Sequence, residues 1–328
     1  MRLLRPAPVE ESPLVPVNLP SPNPTAGEVR LEVLACAVCR TDLQITEGDL
    51  TAKGLPIVPG HQVVGRVVEL GEGVERPRRG SLVGVGWLGS TCGSCDMCRR
   101  GLENLCRKAT FTGWDRDGGY ATELVVAAGY CYPLPAGMEP VEAAPLLCGG
   151  IIGYRAFALT GLKEGGRLGL YGFGASALLV AQIARHFGCE VYVVTRGREA
   201  QERARQEGAT WVGSSGELPP RPLQAAITFA PVGAVVTEAL RGLDRGGVCV
   251  VNAIHLDRIP EFPFQDLYWE RHLLSVANFT RQDSLDLLQL APQIPIRTRQ
   301  ERFPLRDANL ALQRLKQDRI EGAAVLVP

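Results

Sequence analysis

From Glu28 to Ala35 polar and apolar side chains alternate, the pattern of a strand with one face buried. Val63 to Leu70 is a β-branched run closed by Gly71-Glu72-Gly73, and Ser81 to Trp87 is a further short apolar stretch. Pro56, Pro59, Gly60, Gly65, Gly80 and Gly84 punctuate this region. Short strands with tight corners predict a compact β-barrel. Beyond about residue 149 the rhythm changes. Arg167 to Tyr171 reads as a strand leading into Gly172, and Ala177 to Phe187 is apolar at helical spacing. Strand Glu190–Thr195, helix Ala200–Gly208, strand Ala225–Phe229, helix Val235–Gly242 and strand Gly247–Ala253 follow, with Leu274–Asn278 as a last strand. This alternation with short links predicts a doubly wound parallel sheet. The tail is mixed: a strand at Arg302–Leu305, a helix at Asp307–Lys316 with Asp307 as N-cap, and a strand at Ala323–Val327.

At 328 residues the chain is long enough for two domains, and 45% apolar with 21% charged residues is a globular balance. Lys+Arg and Asp+Glu are both 35, so the net charge is zero, which disfavours nucleic acid and anionic membranes as partners. No apolar run reaches bilayer length, and the Pro-rich start from Met1 to Leu19 does not read as a signal peptide. A cytoplasmic protein is expected.

Ten cysteines in a reduced compartment are not disulfides, and four of them fall within one short stretch. Cys92, Cys95, Cys98 and Cys106 are spaced C-x2-C-x2-C-x7-C in the glycine-rich, polar loop 92–106. Four thiolates on such a loop suit a tetrahedral zinc and leave no open coordination position, so the site is expected to be structural. An iron–sulfur cluster and a nucleic-acid zinc ribbon are alternatives, the latter short of the basic and aromatic residues such modules use. Gly172-Phe173-Gly174-Ala175-Ser176-Ala177 fits G-x-G-x-x-A between a strand and a helix. That context predicts a dinucleotide pyrophosphate on the helix N-terminus. The second strand of the unit ends Thr195-Arg196-Gly197-Arg198 with no carboxylate before Glu199. A hydroxyl and two arginines suit a 2′-phosphate, so NADP(H) is favoured over NAD(H), unless Arg196 and Arg198 only begin a solvated helix.

Cys39-Arg40-Thr41-Asp42, Gly60-His61, the cysteine loop with Trp87-Leu-Gly-Ser-Thr-Cys92 before it, and Gly172-Phe173-Gly174 occur in one order. Together they resemble the zinc-dependent medium-chain alcohol dehydrogenases nearly end to end. The resemblance implies a GroES-like catalytic domain (residues 1–149 and 280–328) interrupted by a Rossmann domain (150–279). It implies two zincs per chain: a catalytic one held by Cys39, His61 and Cys148, and the structural one. Two thiolates and a neutral imidazole leave a fourth position open, where an alcohol becomes a better acid or a carbonyl is polarised. Thr41 is then the hydroxyl that takes the alcohol proton, Asp42 orients His61, and Arg40 joins the cofactor-binding residues. The implied activity is hydride transfer between an alcohol or aldehyde and a nicotinamide cofactor, in a homodimer or homotetramer.

Two positions depart from the family. Gln44 stands where many members carry a relay histidine, and glutamine cannot pass a proton by changing its charge. Gln62 stands where most have Glu, which puts the speed of ligand exchange in doubt. Trp87 matches a pocket-lining aromatic, and Leu50 stands where some ethanol-preferring members place tryptophan, leaving room for a medium-sized substrate. A polyol dehydrogenase, a zinc-free quinone reductase and a non-catalytic zinc module are the competing readings. Cys36, Cys131, Cys189 and Cys249 read as core residues, although Cys36 and Cys39 also form a C-x2-C pair.

Overall fold

The alternation at Glu28 is the start of a ten-residue strand in the computed structural model, which describes residues 1–294 and 296–328. The main elements run β1 (Glu28–Ala37), α1 (Arg40–Glu47), β2 (Gln62–Leu70), β3 (Leu82–Val85), β4 (Glu123–Ala127), β5 (Tyr132–Pro133) and α2 (Gly149–Leu159). They continue β6 (Arg167–Tyr171), α3 (Ala175–His186), β7 (Glu190–Val194), α4 (Arg198–Gln206), β8 (Trp211–Gly213), β9 (Leu223–Thr228), α5 (Gly233–Gly242), β10 (Leu243–Val251) and β11 (His272–Ser275). The last are α6 (Arg281–Leu290), β12 (Gln300–Pro304), α7 (Ala308–Lys316) and β13 (Ala323–Val327). Among the described residues no helix is long and apolar enough to cross a membrane.

The chain divides into two units. One comprises Met1–Cys148, Thr280–Pro292 and Arg297–Pro328, and the other Gly149–Phe279 with Gln293–Ile296. In the first, β1 is the central strand. It pairs with β2 along its length, and its other edge is shared by β4 at Glu28–Glu32 and β13 at Cys36–Ala37. Val29, Leu31, Val33 and Ala35 are buried as the alternation requires, and the alternation ends at Cys36 and Ala37, which are both buried. Cys39 therefore leaves the sheet from a fully packed strand end.

In the second unit six strands form a sheet in the order β8-β7-β6-β9-β10-β11, with every neighbouring pair parallel. Counted within the unit this is 3-2-1-4-5-6, the doubly wound order whose switch point lies at the carboxyl ends of β6 and β9. The expected strand at Leu274–Asn278 begins earlier, as β11, an edge strand paired with β10 alone. The expected strand Ser81–Trp87 shortens to β3, which leaves Trp87 outside it. Asp307 does precede α7, but its side chain makes no capping bond, because a 3-10 turn at Leu305–Asp307 already leads the chain into the helix.

The segment before His61 is held largely by backbone, with the Asp117 carboxylate also accepting the Val58 N–H at 2.8 Å. Gly118, Gly119 and Tyr120 donate their N–H groups to Val58, Gly60 and Pro59 at 2.7, 2.9 and 2.9 Å. The two chains approach so closely that a Cβ on Gly118 would lie 2.0 Å from the Gly60 carbonyl oxygen. Gly118→Ala is expected to destabilise the protein by about 1–3 kcal/mol through this backbone clash. Gly54→Ala, where the new Cβ meets nothing within 4 Å, is the neutral control. Equal melting temperatures for the two variants would contradict this account.

Candidate active site and metal centres

The site begins with a buried carboxylate. Asp42 lies in the first turn of α1 and is 0% exposed. Its Oδ2 accepts the N–H of Cys39 at 2.9 Å and the hydroxyl of Tyr120 at 3.3 Å. Its Oδ1 accepts the N–H of Gly60 at 3.2 Å and lies 2.9 Å from His61 Nδ1. The cap and the histidine partner are thus one arrangement: the carboxylate closes the start of α1 and fixes the imidazole tautomer at once. Gly60 adopts φ +100°, and a Cβ there would come within 2.4 Å of the Tyr120 ring, so glycine is required where the chain turns His61 inward. Tyr120 is a participant that the sequence pattern does not single out, its one signal being the preceding Gly118-Gly119. Burial first, then Asp42, pushes its phenol well up, so it stays a donor.

Cys148 arrives from the far end of the same unit. It follows the buried turn Ala144–Leu147, and Leu147 fills the space over Gly84 of β3, where a Cβ would sit 2.4 Å from Leu147 Cδ2. The Cys39, His61 and Cys148 ligand atoms all lie within 4.8 Å of one another. His61 Nε2 is buried without a hydrogen-bond partner, a costly state for a polar atom that a metal ligand bond would relieve. The charge balance points the same way. A hydrogen bond from Cys148 holds the Cys39 thiol well below the ordinary thiol range against the effect of burial, with His61 assisting, and the same pairing pushes Cys148 up. Burial would lower the His61 pKa, but the Asp42 charge and hydrogen bond, with Cys39, raise it to about 10. The pocket thus demands a positive charge, which a divalent ion supplies with His61 neutral.

Around this cluster, the Thr41 hydroxyl is buried 3.7 Å from Cys39 Sγ. Gln44 is half-buried on α1, and Gln62 is buried with its amide donating to the Ala37 carbonyl at 3.5 Å. Arg40 is exposed and pairs with Asp318. Trp87 stands edge-on to His61 with ring centroids 4.9 Å apart, and it stacks on Phe111 at 5.2 Å and Trp114 at 5.8 Å. Leu50, Trp87 and Trp114 are all partly buried against the same core. Phe111 and Trp114 thus join Trp87 in one cluster of aromatic rings.

The four-cysteine loop is already shaped for an ion. Sulfurs at about 2.3 Å from a tetrahedral zinc lie about 3.8 Å apart. Cys106 and Cys92, Cys95 and Cys98, and Cys92 and Cys98 are separated by 3.5, 3.5 and 3.9 Å. The N–H groups of Cys95 and Lys108 donate to the Cys92 and Cys106 sulfurs, each at 3.4 Å. Backbone N–H groups of Ser94 and Cys95 bring the Cys92 thiol down to about 6, so it readily becomes the thiolate a metal needs. Cys36, Cys131 and Cys249 are buried, and burial pushes their thiols up, as core residues require. Cys189 is buried too.

In the second unit Gly172 follows β6 with φ +92°, and α3 starts after Gly174. Nothing lies within 4 Å of a Cβ built on Gly174, which leaves its backbone open to a close ligand. Gly174 and Ala175 are exposed, Ser176 is half-buried, and Ala177 is fully buried, so the third motif position packs the helix against the sheet. At the end of β7, Thr195 is buried. Arg196 and Arg198 are exposed, and among the described residues neither guanidinium has a partner.

Both units match known families. Residues 25–136 match the alcohol dehydrogenase GroES-like domain, and residues 175–292 match the zinc-binding dehydrogenase domain. The "Probable alcohol dehydrogenase AdhA" of Mycobacterium tuberculosis is 47% identical over 98% of this chain and 95% of its own. An alcohol dehydrogenase of Geobacillus stearothermophilus is 33% identical over 96% of each. The cobalt- and zinc-bound thermostable alcohol dehydrogenase of Pyrobaculum aerophilum superposes with a TM-score of 0.88 at 25% identity, over 100% of this chain and 98% of that one. The chain belongs to the zinc-type medium-chain alcohol dehydrogenase family. Within it, the chain is an NAD(P)-dependent oxidoreductase.

Asp42→Asn keeps the size of the side chain and removes its charge. It is expected to weaken zinc binding by Cys39, His61 and Cys148 by about 10–100-fold, while the four-cysteine loop keeps its metal. Competition with a chromophoric chelator reads both sites, and equal losses at the two would refute the assignment.

Proposed function

We propose that the chain oxidises alcohols, or reduces aldehydes and ketones, with one zinc at Cys39, His61 and Cys148 and a second at Cys92, Cys95, Cys98 and Cys106. The carrying observation is the convergence of two thiols and a histidine whose buried Nε2 lacks a partner. Zinc bound there supplies Lewis-acid polarisation of a substrate oxygen, and a bound nicotinamide supplies or accepts the hydride. Cys39 and Cys148 act as thiolates that balance the metal charge, and Asp42 holds His61 with its Nε2 free to ligate. The Thr41 hydroxyl, beside Cys39, accepts the proton that the alcohol loses. Gln44 cannot carry that proton by changing its own charge, so it leaves through water or the cofactor ribose. Leu50 and the aromatic wall of Trp87, Phe111 and Trp114 favour an apolar substrate of medium size over a polyol.

The Gly172–Ala177 turn binds the cofactor pyrophosphate, and Thr195 with the unpartnered Arg196 and Arg198 takes a 2′-phosphate, so the cofactor is NADP(H). Ten unpaired cysteines fit a reducing compartment, the cytoplasm. The unpaired edge of β11 and the neighbouring Phe264 and Tyr268, 67% and 57% exposed, support self-association through the second unit. Sedimentation is expected to show a dimer or tetramer, and a monomer at micromolar concentration would refute this.

The function is tested by nicotinamide absorbance over a panel of alcohols with NADP⁺ and NAD⁺ in parallel, with and without a zinc chelator. Turnover is expected to favour NADP⁺ and to stop when zinc is removed. Replacing Arg196 and Arg198 together by Ala is expected to raise the KM for NADP⁺ about tenfold or more while leaving NAD⁺ unchanged. Turnover favouring NAD⁺ would discard the arginine reading and keep the enzyme class, whereas chelator-insensitive turnover would discard the zinc reading.

A further inference from the structure

We propose that Tyr120 is a positioning residue of the Cys39–His61–Cys148 metal site, acting on His61 through Asp42. The inference rests on that site holding zinc. Of the four donors to the Asp42 carboxylate, two are main-chain N–H groups, of Cys39 and Gly60, which no substitution at those positions removes short of proline. The third is His61 itself. The fourth, the Tyr120 hydroxyl, is the remaining side-chain contribution, and it approaches the oxygen opposite the one that faces His61.

Three features place Tyr120 in this role. It is 0% exposed, so its hydroxyl has no water to turn to, and Asp42 is its hydrogen-bond partner. Its ring lies over Gly60, the residue that turns His61 inward, where even a methyl group would come to 2.4 Å. Its own N–H binds the Pro59 carbonyl at 2.9 Å, so backbone and side chain hold the same loop. A carboxylate fixed on one oxygen by Cys39 and Tyr120 has one direction left in which to present the other. Without the phenol, Oδ2 keeps only the Cys39 N–H, so the carboxylate and the His61 ring it aims are held less tightly. The bond is long for O–H···O, so its contribution is modest.

Tyr120→Phe keeps the ring over Gly60 and removes only the hydroxyl, which separates aim from packing. Zinc affinity at the three-ligand site is expected to fall about three- to tenfold, with the four-cysteine loop unchanged as internal control. Cobalt substituted at the three-ligand site is expected to show shifted visible absorption bands, a change in ligand geometry that a purely packing role would not produce. The double variant Asp42→Asn/Tyr120→Phe is expected to bind no more weakly than Asp42→Asn alone, because both act along one path. A folded Tyr120→Phe protein with wild-type zinc affinity and cobalt spectrum would overturn the proposal, as would fully additive losses in the double variant. Failure of the unaltered protein to bind metal at the three-ligand site would overturn the zinc reading itself, and with it this inference.

Discussion

A carboxylate sealed from water is the constraint on which the first unit depends. Burying an ionised group is unfavourable unless its lone pairs are met by donors. Asp42 meets that condition by recruiting four groups from three separate stretches: Cys39, the Gly60–His61 turn and Tyr120. Each recruitment has a structural consequence. The start of α1 is fixed to the end of β1, the Gly60 turn is fixed to the start of α1, and the loop at Gly118–Tyr120 is fixed to both. The order around Cys39 and His61 therefore follows from one buried carboxylate, and Cys148 is placed separately by the buried turn before it.

The two thiolate clusters achieve order by opposite means. The loop 92–106 gathers its four sulfurs from neighbouring residues, and N–H groups of Cys95 and of the adjoining Lys108 point at two of them, so it needs little from the rest of the molecule. It gives support outward instead. The Glu103 carboxylate accepts the N–H of Arg281 at 2.7 Å, and Thr91 bonds the Tyr130 hydroxyl at 2.6 Å beneath the Arg281 guanidinium. The first turn of α6, where the chain has just returned from the second unit, is thus tied to the metal loop. The three-ligand site inverts this pattern, because its residues are distant in sequence and every one of them is aimed by something else.

Much of this was legible from residue order, and the parts that were not have physical reasons. Continuous apolar runs and period-3.6 patterns locate most elements of the second unit because its strands are buried between helices of one apolar face. The helix α2 escapes because GGIIGYRAFAL has no polar stripe, and its glycines serve close packing: a Cβ on Gly153 would lie 2.7 Å from Val180. α1 escapes because eight residues are too few to show a period. α6 did carry a readable signal in Thr280 and Asp283, which close a capping box. The candidate metal-ligand residues are legible because four cysteines cluster in one short stretch and histidines number only four. Tyr120 is not, because its role depends on where its hydroxyl points, and tyrosines elsewhere, such as Tyr132, are buried with no such task.

The division of the first unit along the chain also sets a timetable for its synthesis. Its first segment, with Cys39, His61, Cys148 and the cysteine loop, is translated before the whole of Gly149–Phe279, and β13 comes later still. Until β13 emerges, the Cys36–Ala37 edge of β1 has no neighbour on that side, immediately before the first metal-binding thiol. The nascent chain therefore carries an unpaired strand edge and reactive sulfurs through the time needed to make and fold the contiguous second unit. The strand that completes this edge is therefore made long after the loop whose four sulfurs gather from neighbouring residues.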